Sequence, residues 1–398
     1  MTCSHSTSDD VADTRAKRTL VVAGTAHALH DGYTDLIYVL LPVWQAEFGL
    51  SYGVLAALRG LYAGVMAALQ VPSGWLVARV DGRIVLAIGT VLAATGYALA
   101  GFTGSLAGLC VALTLSGAGS STQHPIASAA VSRAYGASAR GPLGIYNFTG
   151  DLGKAAIPAL LSLLLTQMQW RGALWLIALL GVAVAASIVL MPPIARAARI
   201  QSPRSQAGRG RVGFGLLLAI GVLDTGVRMG LLTLLPFLLT AKGASLPTIG
   251  IALAMVFLGG AAGKVVCGWL GARAGVLLTV LATEVGTATC IVGVLLFPLI
   301  PSLIVLPLLG MMLNGTSSVL YGTVPELTRP ERVERAFALF YTGTIGSGAV
   351  FPILYGTLAD WVGIAWGTAA TAITALATCP LAFALAPHLA EVGAETPP

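Results

Sequence analysis

Charge is what this sequence has least of. Asp, Glu, Lys and Arg make up 10% of its 398 residues against 56% hydrophobic ones, where a water-soluble domain is about 25% charged. Water cannot solvate most of such a chain, and no room is left for a soluble catalytic domain. Cysteine is scarce too: Cys3, Cys110, Cys267, Cys290 and Cys379 are scattered without CxxC or metal-type spacing, which excludes a disulfide framework and a zinc site. A GxxxxGK[ST] nucleotide loop is lacking, which leaves an ion gradient as the energy source. A GxSxG elbow and an HExxH pair are lacking as well, and His124 has no nucleophile beside it in sequence. No catalytic residue, cofactor or metal is therefore expected.

What is present is apolar runs of spanning length, about 20 residues each. They fall near 19–43, 52–78, 84–102, 106–132, 142–166 and 172–191, then 214–240, 247–271, 275–297, 302–323, 336–358 and 366–386. Residues 1–18 read as a cytoplasmic tail. Its first thirteen residues lack the basic start of a cleaved signal, so the first apolar run is expected to be kept as a span. The net charge of +6 sits where topology rather than nucleic acid would put it. With the N-terminus in the cytoplasm, sixteen of the 22 basic residues fall in inner loops and only Arg171 and Lys242 in outer ones. Both termini are thus expected on the cytoplasmic side of a bacterial inner membrane. The arginine-, Ser- and Gly-containing stretch 192–213 reads as a linker between bundles at 19–191 and 214–386, with a tail at 387–398.

A shift of 194 residues superposes the two sets of spans. LLPVWQAEFGLS, with Pro42, faces LLPFLLTAKGAS, with Pro236, and Gly32, Gly49 and Ser51 face Gly226, Gly243 and Ser245. Gly74-Trp75-Leu76 and Arg79 face Gly268-Trp269-Leu270 and Arg273, and Pro158 faces Pro352. Two parallel six-helix halves joined by a basic linker resemble the plan of the major facilitator superfamily, whose substrate site lies between the halves. The resemblance implies an all-α membrane protein of twelve transmembrane helices in two pseudo-symmetric six-helix bundles, working by alternating access as a monomer. GWLVARVDGR is similar to that superfamily's loop signature, G-x-L-x-D-R-x-G-R-R, with Ala78 and Ala272 where aspartate is usual. Gly74, Arg79, Arg83, Gly268 and Arg273 are its expected cytoplasmic gating residues.

Three further stretches resemble the fosmidomycin-resistance family of drug exporters: His27-Ala28-Leu29-His30-Asp31, Gly119-Ser120-Ser121-Thr122-Gln123-His124-Pro125, and Gly150-Asp151-Leu152-Gly153. His30, Ile126 and the Asp151–Lys154 pair depart from that family's pattern, so its substrate does not carry over.

Ionisable residues inside spans cost about 2.5–3.5 kcal/mol each on insertion scales, so they normally line polar cavities or pair. His27, Asp31 and Asp35 recur at i, i+4 and i+8 with His30 adjacent, a stripe roughly 12 Å long. A carboxylate beside a histidine can take up and release a proton, and these four are the proton-coupling candidates. The same residues also suit a gate that hydrogen-bonds a facing helix. Gln123, His124, Asp151, Lys154, Asp224, Arg228, Asn314 and Arg59 are the substrate-binding candidates. Asp151–Lys154 and Asp224–Arg228 could equally neutralise each other, and Lys264 could pair with Glu284. Gly259, Gly263 and Gly346 suit close helix packing. The combined expectation is a proton-coupled antiporter exporting a small polar or anionic compound or drug, the alternative being a proton-coupled importer of an organic anion.

Overall fold

The computed structural model describes residues 5–77, 79–192, 211–328 and 333–395; these are almost entirely helical, with no strand among them. Most of the expected linker, 193–210, lies outside the described residues.

Each apolar segment lies in helix. The first covers α1 (His5–Asp35) and α2 (Ile37–Phe48), interrupted at Leu36, and the next two are α3 (Tyr52–Leu76) and α4 (Gly82–Phe102). The fourth is divided into α5 (Leu106–Ser120) and α6 (Gln123–Tyr135), and α7 (Arg140–Leu164) and α8 (Trp170–Val189) follow. In the second set α9 (Arg211–Ala241) precedes α10 (Leu246–Leu296), which holds two expected segments because it breaks at Gly275, φ +81°. Then come α11 (Leu299–Thr323), α12 (Val333–Val362) and α13 (Ile364–Glu395). Among the described residues seven helices, α3, α4, α8, α9, α10, α11 and α13, are long and apolar enough to cross a membrane. Pieces of broken segments, such as α2, α5 and α6 with 12, 15 and 13 residues, are too short to be counted alone. α1 and α7 carry charged residues that lower their hydropathy.

The 194-residue register recurs in the backbone. α3 and α10 start at Tyr52 and Leu246, α4 and α10 end at Phe102 and Leu296, each pair 194 apart. Gly49 and Gly243, equally spaced, both turn through the left-handed region at φ +64° and +86°.

The chain divides into two compact units, Met1–Leu40 with Leu61–Ile200, and Leu41–Gly60 with Gln201–Pro398. The segment Leu41–Gly60, which the sequence places in the first bundle, belongs to the second unit. Its contacts explain this: the Tyr52 and Gly53 amides donate to the Asp360 carboxylate of α12 at 2.7 and 2.9 Å. Asp360 thus caps two N–H groups at the start of α3. Asp360→Ala is expected to cost about 0.5–2 kcal/mol, the usual worth of a cap, measurable as a lowered thermal midpoint.

In the first unit α1 and α7 pack closely enough that small residues are obligatory. A Cβ at Gly153 would stand 1.9 Å from the Ala28 carbonyl oxygen, and one at Gly150 would stand 2.6 Å from the His27 ring. Because the obstacle at Gly153 is backbone, Gly153→Ala must push α7 off α1, for about 1–3 kcal/mol. In the second unit Gly259 and Gly263 meet the Pro307 and Met311 carbonyls of α11 in the same way, whereas Gly346 has nothing within 4 Å and is no packing glycine.

Candidate functional site

The close approach of α7 to α1 brings four sequence candidates, His27, His124, Asp151 and Lys154, around one carboxylate, that of Asp31. Asp31 Oδ2 lies 3.2 Å from Lys154 Nζ and 3.4 Å from His27 Nε2, and Asp31 Oδ1 lies 3.8 Å from His124 Nε2. Lys154 also reaches Asp151 Oδ1 at 3.7 Å, so the i, i+3 pair exists but is shared. The Asp31 side chain is 9% exposed and that of His124 45%, so His124 forms the open side of the cluster. Ligand atoms of His27, Asp31 and His124 fall within 4.8 Å of one another, close enough for one cation. Lys154 supplies a positive charge at that carboxylate from within the chain.

Hydrogen-bond direction fixes where a proton can sit. His27 Nδ1 is 2.8 Å from the Tyr146 backbone carbonyl, an acceptor only, so Nδ1 carries hydrogen. In the neutral ring Nε2 then has a lone pair directed at Asp31, and the His27–Asp31 contact is a hydrogen bond only when a proton lies between them. Charge counting agrees. Asp31, Asp151 and Lys154 sum to minus one with both imidazoles neutral, and one added proton makes the cluster neutral.

Gln123 is fully buried, and its amide and the Tyr146 hydroxyl lie against each other with no other hydrogen-bond partner among the described residues. Buried polar atoms left open beside a charged cluster are what a polar cargo or water would satisfy. Tyr146 escaped sequence reasoning. Its ring stacks on His27 with centroids 4.1 Å apart, and its only sequence signal is its position four residues before Gly150.

Other candidates are placed elsewhere. His30 turns from Asp31 to Thr90 Oγ1 at 2.9 Å and Ser120 Oγ at 3.4 Å, where it ties α1 to α4 and α5. This corrects its grouping with the Asp31 stripe: adjacent helical positions point about 100° apart. Asp35 is buried at the end of α1 and acts on Lys154 only through its field. In the second unit Arg59 is buried with Nη2 3.7 Å from Met229 Sδ. Asn314 spends its amide on the Gly310 carbonyl of its own helix at 3.0 Å and packs over Gly260. Asp224 does not form an ion pair with Arg228 among the described contacts; its carboxyl meets Glu284 and Thr316. Glu284, weighed as a partner for Lys264, makes its contacts with Asp224, Thr316 and Thr378.

Among the loop residues, Arg83 donates to the Met191 and Val189 carbonyls at 3.2 and 3.5 Å, joining the start of α4 to the end of α8. Arg273 lies over the Trp269 ring at 4.6 Å. Arg79 is exposed, and Gly74 and Gly268 have open space around them. A cavity of about 480 Å³ in the second unit, lined by Pro42, Glu47, Thr240 and Leu246 among others, contains none of the candidates.

Comparison with known proteins agrees with this architecture. The model described as Major Facilitator Superfamily matches residues 24–223 and 216–397. The Fosmidomycin resistance protein of Escherichia coli (strain K12) is 22% identical over 381 residues, covering 88% of this chain and 89% of that one. A Probable L-galactonate transporter from the same strain is 24% identical over 248 residues, covering 57% of this chain; the match spans 55% of that relative's length. Among solved structures, the peptide transporter POT superposes with a TM-score of 0.81 at 13% identity, over 96% of this chain and 99% of that one. A bacterial homolog to the human lysosomal transporter Spinster, inward-facing and occupied, gives 0.78 at 14% identity over 95% and 98%. At these identities the structures bear on the fold alone.

Proposed function

The chain belongs to the Major Facilitator Superfamily, and from that premise we propose a proton-coupled secondary transporter in which Asp31 takes the coupling proton and Lys154 receives an anionic cargo. It is a multi-pass membrane transporter and not an enzyme. The observation that carries the coupling is the shared carboxylate: Lys154 lies 3.2 Å from the same Asp31 oxygen that faces His27. Protonating Asp31 removes the charge that holds the ammonium, which then has capacity for a carboxylate or phosphonate group, with Gln123, Tyr146 and His124 as neutral partners. Proton and anion bind with mutual reinforcement, which is the thermodynamics of symport. The positive-inside bias supports cytoplasmic termini in a plasma membrane, and the two-unit chain works as a monomer by alternating access.

A second reading, export by proton antiport, is favoured by one observation, the similarity to a drug-resistance protein along 88% of the chain. Proteoliposomes separate the two. A screen of sugar acids, phosphonates and other organic anions by counterflow identifies a cargo, and an inward gradient of it is then imposed. Symport acidifies the lumen and antiport makes it alkaline. Cargo movement with no lumenal pH change contradicts both.

A further inference from the structure

A second group of buried acids lies in the second unit, outside the Asp31 cluster. Asp224 on α9 and Glu284 on α10 are 4% and 2% exposed, and their side chains face each other. Two carboxylates facing each other away from water repel, so such a pair persists only when one of them holds a proton. Beside them Thr316 of α11 donates its hydroxyl to Thr283 Oγ1 at 2.8 Å. Thr378 of α13, which donates to the Ala375 carbonyl, and Cys379 lie beside Glu284. Arg228, one turn along α9, acts on Asp224 through its field and has a buried Nε without a partner. From α12, Phe340, Thr344, Phe351 and Tyr355 pack against glycines of α9; of these only Tyr355 titrates, and it lies at Gly230. No basic side chain forms an ion pair with either acid among the described contacts. One oxygen of Glu284, Oε1, is buried and wholly unpartnered.

The internal repeat shows that the fold does not need acids here. The 194-residue shift places Asp224 on His30 and Glu284 on Thr90. In the first unit that same contact is made by a histidine–threonine hydrogen bond of 2.9 Å, with no carboxyl group. Joining these two helices is thus achieved without acids in one half, while the other half carries two carboxyl groups at the equivalent positions.

We propose that Asp224 and Glu284 form a proton-binding carboxyl pair, the site of a second transported proton bound independently of Asp31. The pair shares one proton in its closed form. Loss of that proton leaves two facing carboxylates, which separate, with Arg228, one turn along α9, as the cation that receives Asp224. The proton site itself stands apart from the Asp31 reading; only its transport rests on proton coupling.

The test is infrared difference spectroscopy on the full-length protein in proteoliposomes, titrated over pH, with proton-to-cargo stoichiometry measured alongside. The expected result is a deuterium-sensitive protonated-carboxyl C=O band that titrates, is lost in Glu284→Gln and in Asp224→Asn, and persists in Asp31→Asn. The stoichiometry is expected to fall by one proton in either pair variant. If one variant fails to fold, the other and the wild-type titration still decide. Absence of the band overturns the proposal, as does a band indifferent to both pair variants. A band that persists at every pH, with unchanged stoichiometry, identifies a fixed structural hydrogen bond and overturns it too. Failure of the Asp31 assignment would instead show as intact proton-driven transport in Asp31→Asn, with this band untouched.

Discussion

Asp31→Asn is expected to abolish uptake driven by a proton gradient while leaving cargo exchange intact. Asparagine has the shape of the protonated acid and no charge, so Lys154 is released at every pH and holds only Asp151, at 3.7 Å. In the wild-type protein, cargo affinity should fall as pH rises past the point where Asp31 loses its coupling proton. In the variant it should stay flat. The difference at alkaline pH should be about 5–150-fold, the range of a coupling free energy of 1–3 kcal/mol. Binding isotherms across pH, paired with gradient-driven uptake, check both halves of this expectation. A variant whose affinity still falls with rising pH would place the proton elsewhere.

The second large effect is expected from Lys154→Met. This removes the ammonium from between two buried acids, Asp31 and Asp151, whose side chains are 9% and 10% exposed. Breaking a buried ion pair by deleting one partner costs about 3–5 kcal/mol, because the other charge is left uncompensated. The thermal midpoint should drop sharply at neutral pH and recover towards acid, where protonation removes the stranded charge. Combining it with Asp31→Asn should cost less than the sum of the single changes, since the groups share one network. Purely additive losses in detergent-solubilised protein would mean that Asp31 and Lys154 are not coupled.

Both effects depend on a site only partly legible in the sequence. The spans and the repeat were legible because hydropathy and a fixed offset are one-dimensional signals; Gly49 and Gly243 hold their register down to the backbone angle. Asp31, His27, His124, Asp151 and Lys154 could be nominated because ionisable groups in apolar helices are costly and therefore conspicuous. Which of them meet is a matter of helix rotation and interhelix spacing. His30 is adjacent to Asp31 in sequence yet bonds Thr90 and Ser120 on other helices. Glu284 was weighed against Lys264 as a simple opposite-charge pair, and only the packing of α9 on α10 brings it to Asp224. Tyr146 was invisible because an aromatic residue in an apolar helix carries no signal of its own. The breaks at Leu36 and after Ser120 were also hidden, since periodicity reads through a short interruption.

Proton uptake on cargo binding, measured with purified protein in weakly buffered detergent and a pH indicator, bears most directly on Asp31 as the coupling site. Just above the pH at which Asp31 loses its coupling proton, binding of an anionic cargo should draw in close to one proton per wild-type molecule and none in Asp31→Asn. Binding without proton uptake in the wild type, or equal uptake in the variant, would contradict it.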